Sequence, residues 1–355
     1  MTGDVESFKA EYRQHTARKA AFIVLCIALA FLGIAVSIIV GGYDISISRV
    51  YEVIWDHLTG VEFEPYSREW YDDDIIWNTR MPRIIFAIMA GIGLAVSGVT
   101  MQSIMKNPLA EPYTTGVSSG AYFGVALSIA LGFSVVSSTD SALNALIFAL
   151  IPVSIMILLS TKSNGSVATI ILVGTALTYM FNAFSTLILV STDADTLANV
   201  YKWQVGSFVE MDWAETTLVS IVVLIGSACI LLLSKKLNVM SMGDENAISL
   251  GLNIKRLRIV CLVVMAVMVS FIVAFSGIVG FVGLICPHII RLVIGSDNRF
   301  VIPAAAAFGA AFLLFADTIA KGMSSLDTVP VGVIASLIGA PMFLIILIRN
   351  RKAIW

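Results

Sequence analysis

Apolar residues in this chain come in long unbroken blocks, not in the one-sided stripes of soluble helices. A helix that crosses a bilayer needs roughly 20 largely apolar residues. Ten blocks approach that length, at about 20–40, 84–105, 118–136, 142–160, 168–190, 215–234, 258–276, 279–294, 301–318 and 331–348. The eighth and ninth are short and contain Gly or Pro, so their edges are the least defined. The pattern predicts an all-α polytopic membrane protein of about ten transmembrane helices. It divides the chain into an N-terminal tail at 1–19, a transmembrane domain at 20–348 and a C-terminal tail at 349–355. An even number of crossings puts both tails on one side.

Charge decides which side. Basic residues are retained on the cytoplasmic face of membrane proteins. With the N-terminus inside, the inner segments hold 16 of the 22 Lys and Arg residues, and the outer segments hold 6. The opposite topology would invert that bias, so both tails are predicted to be cytoplasmic. Composition agrees: 58% of residues are hydrophobic and 13% charged, against about 25% charged in soluble domains. With net charge −2 and no long basic run, a nucleic-acid partner is excluded; the surrounding partner is the lipid bilayer. The polar lead MTGDVESFKAEYRQHTARKA is too long and too acidic for a signal peptide, so the first helix is expected to be retained. Cys26, Cys229, Cys261 and Cys286 all lie in apolar runs without a CxxC spacing, which predicts buried thiols.

The polar segments between the blocks carry most of the chemistry. The inner segment 235–257 contains Ala247, Ile248, Leu250 and Leu252 among Asp244, Glu245 and Asn246, bracketed by Gly243 and Gly251. This reads as a short amphipathic helix. A helix lying on lipid carries Lys and Arg on its polar face; this one carries acids, which favours docking to a cytoplasmic protein. The segment MKNPLAEPYTTGVSSG at 105–120 places two prolines between two apolar blocks. Proline removes a backbone donor and disfavours helix before it, so a compact turn is expected there.

Inside the blocks, polar groups are few: Gln102, Asn182, His288 and, near a helix end, Asp317. Such groups are functional candidates by default. His288 follows Pro287 and precedes Arg291, so it is either a ligand or a hydrogen-bonded residue at a kink. Asp317 is expected to cap or pair locally. No file of carboxylates crosses the membrane, which weighs against an ion-coupled transporter. There is no HExxH, GxSxG or GxxxxGK[ST] motif. No catalytic, metal or cofactor site is therefore expected, and any ATP hydrolysis must reside in another subunit.

Three stretches together resemble one family: RMPRIIFAIMAGIGLAVSGVTMQSIMKNPLAEPYTTGVSSGA at 80–121, MGDENAISLGLN at 242–253, and SGIVGFVGLICPHIIRLVIGSDNRFVIPAAAAFGAAFLLFADTIAK at 276–321, continued by VPVGVIASLIGAPMFL at 329–344. The chain is similar to the FecCD family of ABC permeases, the membrane subunits of importers for iron-siderophore, haem and vitamin B12. The resemblance implies a type II importer permease working as a homodimer, or paired with a close paralogue. It further implies two ATPase subunits inside and a substrate-binding protein outside. It implies a cytoplasmic gate at Asn107, Pro108 and Leu109. It assigns the coupling helix to 242–253, matched by Gly243, Asp244, Glu245, Ala247, Leu250 and Gly251. Arg80, Arg83 and Lys321 would contact the binding protein, with membrane-edge anchoring as the alternative for the two arginines. Ferric siderophore is the favoured cargo, ahead of cobalamin and haem.

Overall fold

A computed structural model of the chain describes residues 2–43, 45–61, 63–135, 141–162, 166–323 and 329–349. Most of the expected C-terminal tail, 350–355, lies outside them. The described residues form fifteen α-helices: α1 (Thr2–Ser37), α2 (Ile47–Thr59), α3 (Arg68–Asp74), α4 (Met81–Met105), α5 (Val117–Leu131), α6 (Ser141–Lys162), α7 (Val167–Leu189), α8 (Ala194–Gln204), α9 (Trp213–Leu232), α10 (Ser234–Ser241), α11 (Asp244–Ser249), α12 (Ile254–Ser276), α13 (Val282–Ile294), α14 (Asn298–Met323) and α15 (Val331–Arg349). Seven are long and apolar enough to cross a membrane, and α5, α13 and α15 are shorter apolar helices. Together they account for the ten expected blocks.

Several boundaries differ from expectation. The helix of the first span runs back to Thr2, so the described part of the N-terminal tail is helical and continuous with the span. The ninth span, expected to be short, is a 26-residue helix. Pro303, in its second turn, does not end it, although it leaves the Arg299 carbonyl without its helical donor. The eighth begins only at Val282, preceded by a non-helical segment turned by left-handed Gly277 (φ 72°) and Phe281 (φ 68°). The third ends at Leu131 on a left-handed Gly132.

The hub is α4. Its apolar window is 78% buried, against 17% for α1 at the periphery. It packs on α9, α12, α13 and α14. Small residues allow this: a Cβ on Gly98 would stand 1.8 Å from the Gly283 carbonyl oxygen, and one on Gly91 would stand 2.2 Å from that of Gly309. Backbone-to-backbone approach of this kind is how helices associate where no hydrophobic effect drives them together.

Upstream, α3 enters α4 through a π-helical turn, Ile75–Arg80. Pro82, in the first turn of α4, lacks the N–H that a regular register would use. The outer segment 41–83 is thus mostly helical, capped at Ser46 and Ser67 by side-chain acceptance of backbone N–H groups.

Candidate functional site: the two polar ends of the α4 hub

At the inner end, α4 stops at Lys106, which adopts a left-handed conformation (φ 52°). The Asn107 side chain then accepts a hydrogen bond from the Leu109 N–H at 2.9 Å, and the Asn107 carbonyl accepts from Ala110 at 3.1 Å. Pro108 sits inside this side-chain-closed turn, which leaves Leu109 exposed. The chain continues through a 3-10 turn, Pro112–Thr115, into α5. This segment does not stay at the surface. The Tyr113 hydroxyl donates to the Val279 carbonyl at 2.9 Å, and a Cβ on Gly283 would stand 3.0 Å from Pro112. Residues 107–116, assigned to the inner side, therefore meet residues 277–283, the turn into the eighth span and its start. Helices α5 and α13, of 15 and 13 residues, cover only about 20 Å each, well short of a ~30 Å hydrocarbon core. The two irregular segments supply the remaining length and pack on each other through Tyr113–Val279 and Pro112–Gly283, since non-helical backbone at membrane depth needs protein around it.

Beside this turn lies α11. Asp244, its first residue, receives Lys106 Nζ at 2.6 Å and Arg258 Nη2 at 3.4 Å. Burial works against the charged carboxylate, but the Lys106 hydrogen bond and the Arg258 charge outweigh it and hold Asp244 below the usual carboxylate range. Ala247 is fully buried, whereas Glu245, Ile248 and Leu250 face outward. Gly243 (φ 115°) and Gly251 (φ 79°) flank the helix in conformations that residues with a Cβ rarely adopt.

A second inner network links α10, α13, α14 and α4. Asn238 donates to Asp297 at 2.7 Å and accepts from the Asn298 N–H at 2.8 Å. Asn298 Oδ1 receives Arg291 at 3.1 Å, and the same Arg291 nitrogen reaches Ser103 at 3.0 Å. Arg299, through paired hydrogen bonds, is the main reason Asp297 is held down at about 2; burial opposes it, and Asn238 assists. Arg291 was singled out from the sequence; Asn238, Asp297, Asn298 and Ser103 were not. Their one sequence signal was position, since each lies at an inner helix end.

The outer end is built differently. The cations expected to face a binding protein are buried: Arg80, Arg83 and Lys321 are 5%, 4% and 4% exposed. Arg83 forms an ion pair with fully buried Asp317 at 2.9 Å, and Lys321 approaches the same carboxylate at 3.8 Å. Lys321 also donates to the carbonyl and hydroxyl of Ser37 at 2.9 and 2.7 Å. Arg80 donates to the carbonyls of Ile38 (2.6 Å), Ile39 and Tyr43. Ser37, Ile38 and Ile39 lie at the end of α1, where carbonyls lack helical partners; Tyr43 lies in the segment that follows. In this conformation Arg80 and Lys321 therefore close the end of α1, and Arg83 ties α4 to α14 through Asp317. Asp317 pairs locally, as expected.

The remaining candidates are scattered. Gln102 is buried and donates to the Leu284 carbonyl at 3.1 Å. His288, one turn below on α13, is 6% exposed and meets the Phe343 ring edge-on at 5.9 Å. Among the described residues, no hydrogen-bond partner reaches its Nε2. Pro287 beside it is buried and leaves the Gly283 carbonyl free of a helical donor. The four cysteines are free. Asn182 lies elsewhere, exposed on α7.

A bundle of ten apolar helices, with two irregular segments meeting inside it and a short acidic helix on its inner face, defines a polytopic transport permease. The family comparison is more specific. Residues 28–349 match the model of the FecCD transport family, and the chain belongs to that family. It is 34% identical to the hemin transport system permease protein HmuU of Yersinia pestis over 78% of this chain and 84% of that protein. It is 36% identical to the cobalamin import system permease protein BtuC of Halobacterium salinarum over 78% and 74%. A solved inward-facing ABC transporter of the metal-chelate type superposes with TM-score 0.81 at 29% identity, over 93% of this chain and 99% of that one. The protein is a multi-pass membrane permease of the ABC importer class, with the type II importer fold.

Proposed function

We propose that this permease carries a metal chelate, ferric siderophore foremost, along α7 and between two copies of the chain. The observation that carries the pathway is a polar stripe on α7. Thr175, Tyr179, Asn182 and Thr186 recur at i, i+4, i+7 and i+11, on one face of the helix. All four are exposed in the single chain. An amide turned toward lipid is costly, so this face belongs against water or a second subunit. An open apolar groove of about 570 Å³ between the α8 end and α15, lined by Val205, Ile278, Val333 and Leu337, offers the second copy a seat. Cargo contacts are few and mostly apolar, so an outer binding protein sets selectivity.

Chelate cargo is supported by two relatives, whose names specify hemin and cobalamin, both metal chelates; another relative is named for molybdate. Asn107, Pro108 and Leu109 act as the inner gate, and α11 with its flanks (242–253) is the surface engaged by ATPase subunits. A binding protein docks over the outer segment 41–83. There Arg80, Arg83 and Lys321 fix the helix ends beneath the contact. The test is uptake into proteoliposomes holding the permease, its ATPase and its loaded binding protein, with ferric siderophore, haem and cobalamin compared. ATP-dependent uptake of the iron chelate supports this reading. Uptake of cobalamin or haem alone replaces the cargo, and uptake driven by an ion gradient without ATP removes the mechanism.

A further inference from the structure

The carboxylate of Asp244 is a junction of three elements. Lys106, on the gate turn, reaches it at 2.6 Å; Arg258, in the first turns of α12, reaches it at 3.4 Å; and Asp244 itself opens α11. Sequence placed Lys106 beside the gate motif but gave it no partner.

Three features make this junction more than a surface ion pair. First, Lys106 occupies the left-handed position that ends α4, where glycine is the usual residue. A residue with a Cβ is disfavoured there, yet the position aims the Lys side chain at Asp244. Second, α11 is a six-residue helix with a left-handed glycine on each side. Among the described residues, nothing beyond the chain neighbours stands within 4 Å of where a Cβ on Gly251 would be, and only one Asn246 side-chain atom comes near that of Gly243. Both flanking glycines thus border open space, while buried Ala247 seats the middle of the helix. Its exposed Ile248 and Leu250 form the surface a partner would push. Third, the last turn of α4 is held again through Ser103, which meets Arg291 and Asn298 and, through Asn298, Asn238 of α10. The α10–α11 unit therefore grips the last turn of α4 at two points. One link, at Ser103, is buried. The other, at Lys106, is partly open to water, with side-chain exposures of 31% and 43% for Lys106 and Asp244.

We propose that Lys106 is a positioning residue for transport: its ion pair with Asp244 passes displacement of α11 to the gate turn Asn107–Leu109. The proposal rests on the reading of α11 as the ATPase-engaged surface. A tilt of α11 moves Asp244, the pair carries Lys106 with it, and Lys106 is contiguous with the turn that Asn107 closes. The Ser103 link holds α4 itself in place, so the movement is delivered to the turn and not to the whole helix.

The experiment uses the full transporter in proteoliposomes, with cargo imported and ATP hydrolysed measured together. Lys106→Ala should lower cargo per ATP by about fivefold, the ratio expected of an exposed pair at the upper end of its measured range. Hydrolysis stimulated by the loaded binding protein should persist. Lys106→Arg, which keeps the charge, should stay within about twofold of the parent. Asp244→Asn should reproduce the Lys106→Ala ratio even where the alanine variant assembles poorly. Unchanged cargo per ATP in both Lys106→Ala and Asp244→Asn would overturn the proposal. So would loss of coupling in Lys106→Arg, because the charge would then not be what matters. Gly251→Glu serves as the independent control on α11. If it leaves ATPase binding and transport intact, the reading of α11 fails. If it abolishes them while the Lys106 variants stay coupled, only the ion-pair link fails.

Discussion

The two ends of α4 use the same residue types for opposite purposes. At the outer end, Arg83 and Asp317 are 5% and 0% exposed at their side chains, and Arg80 and Lys321 spend their donors on the carbonyls that end α1. At the inner end, Lys106 and Asp244 are 31% and 43% exposed and join the gate turn to a short helix flanked by two left-handed glycines. A buried ion pair tolerates little displacement, because separating it leaves a charge without water or partner. A half-exposed pair can separate and reform, because water substitutes for either member. The outer end therefore behaves as a clamp on α1, α4 and α14, and the inner end as a joint.

The largest effect should come from the clamp. Asp317→Asn removes the carboxylate that Arg83 and Lys321 share, which should cost about 3–5 kcal/mol. The thermal unfolding midpoint of the detergent-solubilised permease should collapse. A midpoint within a few degrees of the parent would show that the outer end is not a clamp. A smaller loss is expected from Asn298→Ala, which takes from Arg291 one of its acceptors and from Ser103 a neighbour. That change should cost about 1–3 kcal/mol, readable in the same melt. A cost equal to that of Asp317→Asn would erase the distinction between the ends.

The smallest effect is one of pH. Asp297 is held at about 2, below its ordinary 3.8, chiefly by Arg299. A depressed carboxylate contributes stability above its unfolded pKa and loses it as pH falls through the folded one. Asp244 shifts in the same direction. Amide exchange in α10 and at the start of α14 should therefore quicken as pH falls from about 4 to about 2, after correction for the intrinsic rate. Unchanged exchange in α10 and at the start of α14 across that range would contradict the role given to Asp297.

The reading of Arg80, Arg83 and Lys321 shows where sequence stops. As letters at the outer edges of two spans, they suggested contacts for another protein. Folding turned them inward, because the end of α1 leaves carbonyls that need donors and Asp317 needs a counter-charge at the same depth. Conversely, the NPLA turn and the short acidic helix were legible from Pro, Gly and the alternation of acids with Leu and Ile. The depth that residues 107–116 reach was not legible, since it depends on the Tyr113–Val279 contact across 166 positions.

What the sequence determined by itself was the set of spans, their orientation and the position of the inner helix. Each follows from local physics: apolar length against bilayer thickness, the bias of Lys and Arg, and the turn chemistry of Pro and Gly. Tertiary structure decided which polar residues find one another. Arg83 and Asp317 stand 234 positions apart in the chain, and so does much of what holds this permease together. Inside a bilayer an unpaired polar group has no water to turn to, so its role is set by whichever neighbour the packing brings within reach.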